Sequence, residues 1–191
     1  MPVTCAEVFS KIDAHMKTGM ILHDQLANYY DFLGLMGFKR LHEYHFLREA
    51  AVMRGLNRYY INHHNMLIDD GEMHIESAIP QAWHKTTRRD VGISTKRSAV
   101  KSGMDMWAEW ERKTKKLYEE CYCALCDAGE IAAACKVRQL VADVDTELKE
   151  ADRLALKMQA IDYDMPTMIL MQDELHECYR EKEKSVGVDI C

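Results

Sequence analysis

Imidazole and carboxylate side chains recur near the middle of the long helical segments of this chain, and their spacing suits a metal site. His45 and Glu49 are four residues apart, so on a helix they project side by side and can hold one ion. Hard carboxylates together with imidazole suit Fe, Mn or Zn. The ligands predicted from the sequence are His23, Asp24, His45, Glu49, Glu111, Asp145 and Glu147.

These candidates also have interpretations without a metal. An exposed pair four residues apart on a helix accounts for His45 and Glu49 equally well. Glu111 lies on the apolar stripe of its helix and needs a partner there, because burying a lone carboxylate is costly. A salt bridge to Arg48 or Arg138 supplies that partner as well as a metal does. Asp145 and Glu147 lie in a dense run of acidic residues, which is typical of a solvent-exposed helix face.

Long helical stretches, paired two and two, must position these residues. Apolar side chains recur at steps of three and four along each stretch, and all three prolines lie outside the four longest ones. Within each pair the stretches are joined by one or two residues, whereas residues 67–97 form a long link. The predicted helices cover residues 6–36, 38–66, 98–128, 130–161 and 165–184.

The spacing predicts an all-α protein: an antiparallel four-helix bundle with a long helix 2–helix 3 crossover and a short C-terminal fifth helix. One domain is expected to span residues 1–191. In an antiparallel bundle the helix midpoints share one layer. The midpoints here are near residues 21, 52, 113 and 145, which is where the candidate ligands lie.

The lengths and order of these elements resemble the ferritin-like superfamily. Residues 22–38, LHDQLANYYDFLGLMGF, look like the first helix of ferritins, where an acidic ligand is followed by tyrosine and an apolar run. The resemblance implies a metal-binding protein that oxidises or stores iron, a ferroxidase-like oxidoreductase, and a homo-oligomer. Fe, or Mn or Zn in its place, is the expected cofactor.

The Glu-x-x-His motif of the family's di-iron site is absent. The Glu and His residues that come closest to this motif are two positions apart, roughly 200° of rotation on a helix, so the two residues of such a pair cannot bind the same ion. The resemblance therefore implies a degenerate carboxylate/histidine site. The three pairs are Glu43 with His45, Glu72 with His74, and Glu174 with His176.

Composition and charge limit the classes of function. The chain has no apolar run that approaches the ~18 residues of a membrane span. Its seven cysteines, an odd number placed on predicted helices, indicate reduced thiols and a cytoplasmic protein. The net charge of −6 argues against general nucleic-acid binding, although residues 81–101 carry +5. A second hypothesis is a non-catalytic helical scaffold or interaction protein that uses this basic crossover or the C-terminal helix.

Overall fold

The computed structural model describes residues 4–69, 71, 73, 79 and 86–186, and these residues form five α-helices. A 3-10 turn, Arg88–Asp90, precedes the third helix. The predicted all-α architecture is confirmed. The helices are α1 (Cys5–Leu33), α2 (Met36–His64), α3 (Ile93–Asp127), α4 (Ile131–Ala160) and α5 (Met165–Glu183).

The helix ends follow from local sequence. Thr4 and Glu7 form a reciprocal capping box at the start of α1, and Gly34 ends the helix in the left-handed conformation with φ 76°. Asp164 caps α5 by accepting a hydrogen bond from the Thr167 backbone N–H at 3.1 Å. The predicted start of α3 was wrong by five residues, because nothing between Ile93 and residue 98 breaks a helix.

The first four helices form two antiparallel hairpins, α1 with α2 and α3 with α4, and α1 packs against α3. The fifth helix packs along α2. Gly37 permits this contact, because a Cβ atom there would lie 2.8 Å from the Gln172 Cα atom and 2.9 Å from its carbonyl carbon. The C-terminal helix thus packs on the bundle and covers part of α2.

Two apolar clusters fill the bundle, and a polar layer separates them. Around one end lie the large side chains Tyr30, Leu33, Phe38, Trp107 and Met168. At the other end the cluster includes Phe9, Ile12, Leu56, Leu125 and Val137. The buried polar side chains of the layer between them include His23, His42, His45, Glu111 and Thr114.

Basic residues of the crossover and the start of α3 make ion pairs within the chain. Arg88 lies 2.8 Å from Asp31, and Arg97 pairs with Asp162. The predicted basic segment 81–101 is described only from residue 86 onward, so Lys85 lies outside the described residues. Within the described ranges, none of the helices has the length and apolar character needed to cross a membrane.

Candidate metal centre

Three buried side chains from three different helices meet in the polar layer. His23 of α1, His45 of α2 and Glu111 of α3 each offer one ligand atom, and these atoms lie within 4.8 Å of one another. His23 Nε2 is 3.9 Å from Glu111 Oε1. Ligand atoms bound to one ion at about 2.0–2.2 Å lie up to about 4.4 Å apart, so small side-chain shifts bring all three to a common ion.

One nitrogen of each imidazole in this cluster has no hydrogen-bond partner among the described residues. His23 Nε2 and His45 Nε2 are buried and make no hydrogen bond to any residue that the structure describes. A buried polar atom without a partner costs about 1–3 kcal/mol. A bound cation would satisfy both nitrogens at once, which is the arrangement expected of a ligand pair.

Glu49 adds a second carboxylate at the edge of the cluster. Its Oε1 atom lies 3.9 Å from His23 Nε2, and its side chain is 17% exposed. It fits because residue 19 of α1 is glycine: a Cβ there would lie 2.6 Å from Glu49 Oε2 and 2.8 Å from Cδ. The glycine that interrupts the apolar stripe of α1 is therefore explained by the carboxylate that lies against it.

A pocket between α2 and α4 reaches Glu49 from the surface. Side chains of four helices line it, and an ion pair between Arg48 and Glu147 joins α2 to α4 beside it. Charged side chains, Arg48 and Glu147 among them, therefore line the pocket beside Glu49. The lining residues include Met16, Val52, Thr114, Tyr118, Leu140 and Asp143.

Trp107 fixes the orientation of Glu111. Its indole Nε1 donates a hydrogen bond to Glu111 Oε1 at 2.8 Å. The same ring lies 5.0 Å from the His45 ring, centroid to centroid. Arg48, one of the two salt-bridge partners predicted for Glu111, forms its ion pair with Glu147. A neutral donor therefore holds Glu111, and Oε1, the oxygen that accepts this hydrogen bond, is also the atom that lies 3.9 Å from His23 Nε2.

Burial controls the protonation of this layer. It raises the pKa of Glu111 to about 7, and it raises the pKa of Glu49 well above its usual range, where the charge of Glu111 adds to the effect. It lowers the pKa of His23 to about 3 and that of His45 well below its usual range. The imidazoles are therefore neutral, as metal ligands must be, and a cation binding here would displace protons from the carboxyl groups.

His42 is a buried member of the layer that the sequence analysis missed. Its Nδ1 atom lies 3.0 Å from His23 Nδ1, and it is 0% exposed. The signal was present, because His42 and His45 are three residues apart and share one face of α2. This His-x-x-His spacing differs from the Glu-x-x-His motif of the family's di-iron site.

The structure does not bring the other three candidates to the cluster. Asp24 follows His23 by one residue, about 100° around the helix, and is exposed. Asp145 has its pKa lowered to about 2 by hydrogen bonds from two lysines. The roles of Asp24, Asp145 and Glu147 as ligands stay predictions, and each of these carboxylates has a partner outside the cluster. The partners are Asn28 for Asp24, Lys115 and Lys149 for Asp145, and Arg48 for Glu147.

Comparison with solved structures identifies the architecture. An open-pore ferritin from the hyperthermophilic archaeon Archaeoglobus fulgidus superposes with a TM-score of 0.74 at 14% identity, over 90% of this chain and 95% of that one. A closed form of the A. fulgidus ferritin, engineered by site-directed mutagenesis, gives 0.73 at 14% identity over 90% and 94% of the two chains.

A humanized archaeal ferritin gives 0.72 at 16% identity, again over 90% of this chain and 94% of that one. No protein-family model and no curated protein sequence matches the chain. At these identities the similarity concerns the arrangement of helices. The chain has the ferritin-like helical-bundle fold.

Proposed function

We propose that this protein binds a divalent transition-metal ion, Fe(II) first, at His23, His45 and Glu111, with Glu49 as a further ligand, and that it oxidises the iron. The observation that carries the proposal is the convergence of two unpartnered buried imidazole nitrogens and a buried carboxylate, one from each of three helices. Two histidines with one carboxylate are a donor set typical of non-heme Fe(II).

The electrostatics of the layer support the same function. Neutral imidazoles and carboxyl groups with raised pKa values leave the metal-free layer with little charge near neutral pH. When a dication binds, the two carboxylates, Glu49 and Glu111, balance its charge and release protons. Mn(II) and Zn(II) suit the same donors, so competition among the three ions establishes which one the site prefers.

The proposed reaction treats Fe(II) as the substrate and dioxygen as the oxidant. Two Fe(II) ions each lose one electron, and dioxygen takes up both electrons and two protons to give hydrogen peroxide. In this chain Trp107 holds Glu111 in place, and the pocket beside Glu49 supplies an opening for small reactants.

Storage of the oxidised iron would require assembly, and we extend the proposal to a homo-oligomer in the cytoplasm. Large apolar side chains on the outer faces of α4 and α5 support assembly: Leu156 is 65% and Leu170 79% exposed. The described cysteines are free, as in a reducing compartment. Light scattering tests assembly directly, and a monomer at micromolar concentration would contradict it.

Aerobic Fe(II) oxidation by metal-free protein tests the function. The wild-type protein should oxidise Fe(II) faster than the buffer does, and Glu111→Gln should remove most of that rate. Glu109→Gln is the matched control, because it makes the same change two residues away on an exposed face of α3. Equal rates for the two variants, or a wild-type rate equal to the buffer rate, would contradict the proposal.

A further inference from the structure

Two imidazole rings, those of His23 and His42, contact each other through their Nδ1 atoms in the centre of the bundle. His23 Nδ1 and His42 Nδ1 are 3.0 Å apart, and both side chains are 0% exposed. A positive charge on either fully buried ring would be costly because burial removes its solvation, so both rings are neutral and each carries one N–H. A contact between two nitrogen atoms at 3.0 Å is a hydrogen bond only if one nitrogen is protonated and the other is not.

Only two proton arrangements satisfy this contact. In one, His42 Nδ1 donates to His23 Nδ1, and His23 then carries no proton there but must carry its proton on Nε2. In the other, His23 Nδ1 donates to His42 Nδ1, and His23 Nε2 keeps a free lone pair. The second arrangement alone allows His23 Nε2, which faces Glu111 and Glu49 at 3.9 Å each, to bind a cation.

Aromatic neighbours hold the His42 ring. The Tyr30 ring lies parallel to it, with centroids 5.3 Å apart and an angle of 2°. The Trp107 ring stands at 80° to it, with centroids 5.6 Å apart. The Nε2 atom of His42 makes no hydrogen bond to the described residues. The two aromatic rings therefore restrict rotation of the His42 ring and keep its Nδ1 atom directed at His23.

We propose that His42 is a positioning residue: it accepts the Nδ1–H of His23 and so directs the Nε2 lone pair of His23 to the metal. The proposal rests on the metal site proposed above and adds a residue that does not itself contact the ion. Metal-bound histidines generally donate their second N–H to an acceptor, and loss of that acceptor lowers metal affinity about 10–100-fold. Here the acceptor is another imidazole.

A matched pair of variants separates this role from packing. Asn and Leu have nearly the same shape, and both remove the ring that packs against Tyr30 and Trp107. Asn places an amide oxygen near the position of His42 Nδ1, whereas Leu offers no acceptor. Zinc affinity, measured by competition with a chromophoric chelator, should fall about 10–100-fold in His42→Leu, and His42→Asn should recover most of the loss.

A measurement on the wild-type protein does not depend on how the variants fold. Nitrogen-15 NMR of the zinc-loaded protein should show His23 protonated at Nδ1 and His42 protonated at Nε2. Equal zinc affinities for His42→Leu and His42→Asn, or a proton on His42 Nδ1 in the zinc-loaded protein, would overturn the positioning role while the metal site stands. Failure of the wild-type protein to bind zinc, iron or manganese would overturn both.

Discussion

Replacing Gly19 by alanine should separate metal affinity from folding stability in this bundle. A Cβ atom at residue 19 would lie 2.6 Å from Glu49 Oε2 and closer still to Oε1, whereas ordinary contacts begin at 3.4 Å, so the carboxylate has to retreat by at least about 0.8 Å. Metal–oxygen distances tolerate only about 0.2 Å. The Glu49 carboxylate can therefore not bind in its present place, and zinc affinity should fall about tenfold or more, equivalent to at least about 1.4 kcal/mol.

The folding stability should change in the opposite direction. Alanine is favoured over glycine inside a helix by about 1 kcal/mol, and Glu49 can move because its side chain is flexible and 17% exposed. Urea unfolding of the metal-free protein should therefore show Gly19→Ala to be as stable as the wild-type protein or slightly more stable.

A double-mutant cycle provides the sharpest readout. In a Glu49→Ala background the alanine at residue 19 has no carboxylate to displace, so it should have no further effect on zinc affinity. Gly92→Ala is the control, because a Cβ there would meet nothing within 4 Å. Wild-type zinc affinity in Gly19→Ala, or equal losses in both backgrounds, would refute the role of Glu49 as a ligand.

Three further predictions follow from the same layer and from α5. Glu111→Gln should stabilise the metal-free protein by about 3 kcal/mol at pH 8, because the pKa of Glu111 is raised from 4.5 to about 7 and its buried charge is present only above that range. By urea unfolding the gain should vanish at pH 4, and a gain that persists there would contradict this cause. Since burial lowers the pKa of His23 from 6.5 to about 3, the protein should lose about 1.4 kcal/mol of stability per pH unit through this group as the pH falls from 6.5 to about 3, and His23→Gln should have a shallower stability–pH curve there. An unchanged curve would argue against a buried neutral imidazole. Gly37→Ala should destabilise the protein by about 1–3 kcal/mol, because the Gln172 backbone has to move away. Hydrogen exchange should then show faster exchange in α5, and unchanged protection there would contradict the close packing.

The helices could be predicted from the sequence because apolar periodicity and turn residues act locally. The ends of α1, α2, α4 and α5 lie within three residues of the predicted ends. The ferritin-like fold was predicted from the lengths and order of the helices and is confirmed. The start of α3 was predicted five residues too late. Residues 93–97 have no apolar period, and they are helical because they continue the buried part of the helix.

The candidate site was predictable in its position along the helices but not in its full composition. His23, His45 and Glu111 were expected in one layer because they lie near the helix midpoints, and the structure brings them together. The rotation of each helix about its own axis, which turns Asp24 outward, depends on tertiary packing and not on the position of a residue along its helix. The packing of α5 along α2 and the pairing of the α4 carboxylates with cations are likewise tertiary contacts.

His42 and Gly19 show what kind of signal a ligand search leaves out. Both residues affect the cluster through a neighbour: one touches a predicted ligand nitrogen and the other makes room for a carboxylate. Their residue types are informative only after the helices have been packed, because histidine and glycine on an apolar stripe have many ordinary explanations. Such residues are best sought among the contacts of each candidate ligand.

Anomalous diffraction from crystals of the zinc-loaded protein would show whether His23, His45 and Glu111 bind one ion. One peak is expected inside the bundle at about 2.0–2.2 Å from His23 Nε2, from a His45 ring nitrogen and from a Glu111 oxygen. An empty polar layer in crystals that hold zinc only at surface sites would contradict this expectation.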